Sequence, residues 1–170
     1  MIKDWAAERD FVLRSAQEND VKFIRLWFTD ILGYLKGFAI TVEDLQDAME
    51  QGVGFDGASV EGFARINESD MRAFPDPTTF TLLPWRPRQN AVARMFCDIR
   101  TPNGDPFAGD PRFVLKRNLE RLAGMGYTYY VGPELEFFFL SGGGAIPASF
   151  FIFGTWFTVK ISKMFAFHPI

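Results

Sequence analysis

Two strand-like runs on either side of a short glycine-containing break constrain this chain more than any other feature. In the first, Val21, Phe23, Leu26 and Phe28 are interleaved with Lys22 and Arg25; the second extends from Tyr34 to Val42. Successive side chains of a strand point to opposite faces, so such interleaving suits a sheet with one face buried. The break, Thr29-Asp30-Ile31-Leu32-Gly33, is short enough to join the runs as a hairpin. Thr41-x-x-Asp44 then has the spacing of a capping box, which predicts a helix that stops near Gly52. An amphipathic helix over residues 4–19, with Phe11, Val12 and Ala16 on its apolar stripe, precedes the hairpin, and strands at Phe80–Leu83 and Ala91–Ile99 follow. Hairpin, helix and further strands form the order of a small α+β domain of β-grasp type. The aromatic residues Trp27, Phe28, Trp85 and Phe96 are expected in its core.

The turn-rich stretch Thr101-Pro102-Asn103-Gly104-Asp105-Pro106 marks a boundary, giving a first domain over residues 1–104. Beyond it, Asp110-Pro111 suits an N-cap followed by proline at the first helical position. The spacing predicts a helix over 111–123 that packs through Phe113, Val114, Leu115, Leu119 and Leu122 and ends in the Gly124–Gly126 stretch. A strand over Tyr127–Leu140 completes a second segment, 105–140. Residues 141–170 open with Ser141-Gly142-Gly143-Gly144 and continue as an apolar run with neither helical nor alternating period. That run falls short of the roughly 20 residues needed to cross a bilayer, and Pro147 and Gly154 interrupt it. It is expected to be an aberrant or disordered tail that does not continue the preceding fold.

Composition narrows the chemistry. With 18 basic and 21 acidic residues the chain carries a formal charge of −3, which argues against a phosphate clamp for nucleic acid. Cys97 is the single cysteine, so no internal disulfide forms, and a reducing cytosol is the expected compartment. The single histidine, His168, lies two places from the end, a poor position for a nucleophile–histidine site. The N-terminus is too charged for a secretory signal. No Gly-x-x-x-x-Gly-Lys-Ser/Thr and no Gly-x-Gly-x-x-Gly after a strand is present.

The acidic residues carry what chemistry the sequence offers. Asp56 lies in the glycine-rich stretch Gly52-Val53-Gly54-Phe55-Asp56-Gly57-Ala58-Ser59, where the backbone can approach a ligand closely. The simpler reading of Asp56 is an Asx-turn bonding the N–H two residues on. Asn67-Glu68-Ser69-Asp70 reads equally well as a polar turn. Glu134 and Glu136 share one face of a strand whose two faces both look apolar. Two buried carboxylates need compensation, from a hard divalent cation or from an arginine or lysine, unless the strand end opens to solvent.

Taken together, Phe55-Asp56-Gly57-x-Ser59, then after a gap of eight residues Glu68-Ser69-Asp70, and finally Glu134-x-Glu136 resemble, in order, motifs of the glutamine synthetases, of the bacterial type I. The resemblance covers residues 6–140 and departs from the family pattern at Ala58, where a serine is usual, and at Ala73, where a larger apolar residue is usual. It implies a β-grasp N-terminal domain followed by the first helix and strand of a catalytic α/β barrel-like domain. It also implies an ATP-dependent ligase joining ammonium to glutamate through γ-glutamyl phosphate. By that resemblance Asp56, Ser59 and Asp70 are catalytic-site residues: Asp56 reaches a neighbouring subunit's site to bind ammonium and take its proton, Ser59 supports it, and Asp70 lies at the subunit junction. Phe63 falls where the family has an aromatic residue. Glu134 and Glu136 would be ligands of Mg²⁺ or Mn²⁺. ATP, glutamate and ammonium are the implied substrates, and neighbouring subunits of a ring-shaped homo-oligomer the implied partners; no nucleic acid or membrane partner is expected. The family's nucleotide-binding segments lie later in its sequence and are absent here, so the isolated chain is expected to be inactive. A γ-glutamylpolyamine synthetase-like ligase and a catalytically inactive, truncated β-grasp module are the alternatives.

Overall fold

The computed structural model describes residues 4–61, 70–134 and 158–161. The chain divides into two compact units, Met1–Asn118 and Leu119–Ile170.

The first unit opens with α1 (Trp5–Glu18), capped by Asp4, whose carboxylate accepts hydrogen bonds from the Ala6 and Ala7 N–H groups at 3.1 and 3.2 Å. Val12 and Ala16, one turn apart, point into the core, whereas Phe11 is 56% exposed. The buried stripe is thus narrower than expected, because Phe11 sits a step around the helix from the Val12–Ala16 line.

Strands β1 (Val21–Thr29) and β2 (Leu35–Thr41) form the expected antiparallel hairpin, paired from Phe23–Thr41 to Thr29–Leu35. Asp30 holds the connection: its carboxylate accepts from the Leu32 and Tyr34 N–H groups, and Gly33 turns the chain at φ +86°. One register detail corrects the simple alternation. Between Val21 and Phe23 the pairing of β1 with its parallel neighbour β6 (Ala91–Arg100) slips. Such a bulge shifts the following side chains to the opposite face. Ile24, Leu26 and Phe28 are therefore buried and Phe23 is half exposed.

The next helix, α2 (Leu45–Gln51), begins after Asp44. The Thr41 hydroxyl donates to the Asp44 carboxylate at 2.8 Å, so the Thr41-x-x-Asp44 pair builds the turn before the helix instead of capping it. The helix does stop at Gly52. There follow β3 (Val53–Asp56), α3 (Ala58–Glu61), β4 (Asp70–Pro75), a 3-10 turn at Pro77–Thr79 and β5 (Thr81–Leu82). The glycine-rich stretch around Asp56 is thus mostly regular structure, and the strand expected over Phe80–Leu83 shortens to two residues. The six-stranded sheet has the order β2-β1-β6-β4-β3, with β5 also on β6. The central β1–β6 pair is parallel and its neighbours antiparallel, the α+β arrangement of a β-grasp domain.

The helices α1 and α2 cover one face of this sheet. Val12, Ala16, Leu45, Ala48 and Met49 pack there with Ile24, Leu26, Met71, Ala73, Met95, Cys97 and Ile99. The opposite face carries the alternate residues of the same strands. Trp27 and Phe96 stand on it in tilted contact, with the Arg94 guanidinium 4.7 Å from the Phe96 ring centre. Of the aromatics expected in the core, only Phe28 is fully buried; Trp85 is 68% exposed.

Helix α4 (Pro111–Gly124) starts as its sequence predicts. Asp110 is fully buried and joins strand to helix: one carboxylate oxygen accepts from the Ile99 N–H at 3.0 Å and the other from the Arg112 N–H at 2.9 Å. Arg112 bridges Asp76 and Asp98, and Lys116 binds Asp98 at 2.6 Å. These polar contacts hold the start of the helix; of its apolar residues Phe113 and Leu122 are half-buried, whereas Val114, Leu115 and Leu119 are exposed, contrary to the packing expected of them.

In the second unit, β7 (Val131–Glu134) pairs antiparallel with β8 (Thr158–Ile161), from Val131–Ile161 to Glu134–Thr158. The strand expected from Tyr127 therefore starts at Val131, and its continuation over 135–140 lies outside the described residues. Strand β8 falls within the apolar tail, where no regular element was expected.

Candidate functional site: an acidic sheet edge

The residues on either side of Asp56 explain its presentation. Phe55 is drawn inward against Phe28 and Phe38, with ring centres 4.9 and 6.0 Å away. Val60, 1% exposed, anchors α3 in the core, and its carbonyl accepts from the Ile31 N–H of the β1–β2 connection. Between these two anchors Asp56, Ala58 and Ser59 remain exposed. Burying Phe55 and Val60 fixes the turn from strand to helix, so the carboxylate is held out without being buried itself.

Strand pairing then brings a second carboxylate alongside. The β3–β4 register runs from Val53–Ala73 to Asp56–Asp70, so Asp56 and Asp70 stand directly opposite each other and project from the same face. Like charges so placed repel, and only solvent or a cation relieves them. The Asp56 carboxylate accepts the Ala58 N–H at 2.9 Å, which is the Asx-turn that the sequence allows. The turn occupies one oxygen and orients the other. Ala58, where the family usually has serine, supplies its backbone N–H to that turn, a role that needs no hydroxyl. Ser59 lies in the first turn of α3, three positions from Asp56.

Asp56, Ser59 and Asp70 thus fall in one region of the first unit. Asn67, Glu68, Ser69 and Phe63 lie outside the described residues, as does Glu136. Glu134 belongs to the second unit, with its backbone at the end of β7 opposite Thr158. Among the described residues no three histidine, cysteine, aspartate or glutamate side chains converge on a metal position. The groups described here therefore do not compose a divalent-cation site. Among the described residues no helix is long and apolar enough to cross a membrane.

The more elaborate charged cluster of this unit is one that sequence spacing did not disclose: Asp76, Asp98, Arg112 and Lys116, drawn from three separate elements. Burial pushes the Asp76 carboxyl up, but the Thr78 hydroxyl, Arg112, Lys116 and the Thr78 N–H together hold it below the usual range. Burial raises Asp110 against the two N–H groups that it accepts. Burial likewise pushes the Cys97 thiol far up, so it stays protonated as an inert filler.

Similarity to known proteins agrees with the motifs and the sheet. Residues 20–102 match the glutamine synthetase β-grasp domain, and residues 108–149 match the glutamine synthetase catalytic domain. This chain belongs to the glutamine synthetase family. The glutamine synthetase of Mycobacterium tuberculosis H37Rv is 51% identical over 145 residues, which is 82% of this chain and 32% of the relative. That of Methanosarcina mazei is 54% identical over 130 residues, 76% of this chain and 29% of the relative. The chain therefore spans about a third of the length of these glutamine synthetases. Among solved structures, the GmaS–ADP complex in its conformation 1 superposes with a TM-score of 0.61 at 30% identity, over 67% of this chain and 26% of that one. GmaS without ligand gives the same TM-score at 28% identity, over 70% of this chain.

Proposed function

We propose that the chain is the β-grasp portion, with the start of the catalytic portion, of an ATP-dependent glutamate–ammonia ligase, and that Asp56 and Asp70 present the acidic edge that handles ammonium. The observation that carries this reading is their cross-strand pairing on an exposed edge. Two facing carboxylates attract a small cation, and NH₄⁺ must lose a proton before nitrogen can attack. In the reaction proposed, the ATP γ-phosphoryl group passes to the glutamate side-chain carboxylate, giving γ-glutamyl phosphate and ADP. Ammonium bound at the acidic edge gives a proton to the Asp56 carboxylate. The resulting ammonia attacks the acyl carbon and phosphate leaves, forming glutamine. The Ala58 N–H holds the carboxylate in its turn, and Ser59 is proposed to support the site from the first turn of α3.

An edge pointing away from its own core serves a site completed by another surface, so Asp56 and Asp70 are proposed to act at a neighbouring subunit of a ring-shaped homo-oligomer in the cytoplasm. Glu134 and Glu136 are proposed as carboxylate ligands for Mg²⁺ or Mn²⁺, on their spacing and on the catalytic-domain match over 108–149. A γ-glutamyl ligase using a larger cationic amine would also want a carboxylate here.

The test is a hybrid in which residues 1–130 of this chain replace the matching part of the Mycobacterium tuberculosis glutamine synthetase. The hybrid should form glutamine from ammonium, and Asp56→Asn within it should lower kcat by about 10²–10⁴-fold, the range for removing a proton-transfer group. An Asp56→Asn hybrid as active as its parent would end the proposal. Activity with methylamine or putrescine in place of ammonium would favour the other ligase. The 170-residue chain alone, spanning a third of its relatives, should form no γ-glutamyl hydroxamate.

A further inference from the structure

We propose that Arg72 and Arg100 form a binding site for an oxyanion, a phosphate or a carboxylate, at the β4–β6 pair of the sheet. The two residues are direct partners in the antiparallel β4–β6 pair, so their side chains leave the sheet side by side. Two guanidinium groups so placed repel each other unless an anion joins them. Neither makes an ion pair among the described residues. Asp98, two places before Arg100 on the same face, is already occupied by Arg112 and Lys116. Asp70 lines the same cleft as Arg72 and forms no ion pair with it.

The geometry around the pair suits a ligand. The Arg72 Nε is buried and has no hydrogen-bond partner. A buried donor of that kind is normally satisfied. Arg100 stacks on Phe74, its guanidinium carbon 4.4 Å from the ring centre, which fixes the plane and leaves the N–H edges free to donate. On the other side Arg72 faces Gly54, and a Cβ there would meet nothing within 4 Å. The cleft beside Arg72, about 450 Å³, is lined by Gly54, Phe55, Asp70, Met71, Arg72 and Pro102, and Arg100 opens onto a second cleft with Phe74 and Asp98. Forked guanidinium donors beside open space match the paired oxygens of phosphate or carboxylate. The site differs from the ammonium edge in sign, although Asp70 of that edge borders the cleft beside Arg72.

The test is NMR titration of the 170-residue chain at constant ionic strength, with inorganic phosphate in one arm, succinate in a second and chloride in a third. The Nε–H signals of Arg72 and Arg100 and the Gly54 amide should shift saturably with phosphate or succinate and not with chloride; the tighter arm identifies the anion. Arg72→Gln and Arg100→Gln, followed at the Gly54 amide, should each weaken binding at least about tenfold. Arg72→Lys, which keeps the charge and loses the fork, should weaken it less and controls for folding. Absence of a saturable shift in both anion arms, or equal affinity in the Arg100→Gln variant, would overturn the proposal.

Discussion

Asp56 and Asp70 face each other across the last register step of the β3–β4 pair, two exposed carboxylates on the same side of the sheet. Strand pairing places them together although fourteen positions separate them in sequence, and the fold gains nothing from their mutual repulsion. Replacing Asp70 by asparagine should therefore stabilise the first unit by a few tenths of a kcal/mol, up to about 1 kcal/mol. Urea unfolding followed by circular dichroism would show the midpoint rising. In the hybrid enzyme the same change should lower activity, so stability and function move in opposite directions. Loss of both would mean that Asp70 supports the strand instead.

The Asp76 carboxyl gives the acid limb of stability. Its folded pKa lies below the unfolded value, so the stability it contributes is complete above the ordinary aspartate range and is lost as pH falls through the folded value. Arg112→Gln removes its bridge to Asp98 and should cost roughly 2 kcal/mol near neutral pH, since a buried carboxylate keeps only part of its hydrogen bonding. The variant's acid unfolding should begin at higher pH than the parent's. Superimposable acid-unfolding curves would refute the linkage.

Asp110 behaves in the opposite sense. Its folded pKa is raised, so ionisation works against folding as pH climbs from the unfolded aspartate value through the folded one. Asp110→Ala leaves the buried Ile99 N–H without its acceptor and removes the α4 cap, a loss of roughly 1–3 kcal/mol. The loss should be larger at pH 3.5, where the parent carries no ionisation penalty, than at pH 7. Paired denaturation curves at the two pH values measure the difference.

Gly52 ends α2 at φ +71°, where a Cβ would stand 2.8 Å from the Phe74 ring. Gly52→Ala combines backbone strain with a clash against a ring that itself supports Arg100, and should cost roughly 1–3 kcal/mol. A thermal midpoint within a degree of the parent's would show that the helix end adapts freely.

Different parts of this fold were readable from sequence to different degrees, for physical reasons. The hairpin was readable because the apolar residues of 21–28 and 34–42 flank a break too short for anything else. Its inward face was not: the slip between Val21 and Phe23 is a property of pairing with β6, seventy residues away. Helix α4 was readable from Asp110-Pro111, but Val114, Leu115 and Leu119 found no cover among the described residues, and polar contacts to Asp76 and Asp98 tie the helix down.

The candidate site divides in the same way. The chain's own order of residues supplied Asp56, Ser59, Asp70 and the Glu134-x-Glu136 pair as local motifs, and with them the family. Local order also supplied the Asx-turn at Asp56, which needs only the N–H two residues on. Only the tertiary structure set Asp56 against Asp70 and Arg72 against Arg100. Cross-strand register arises from hydrogen bonding between distant segments, and no local pattern of residues encodes it.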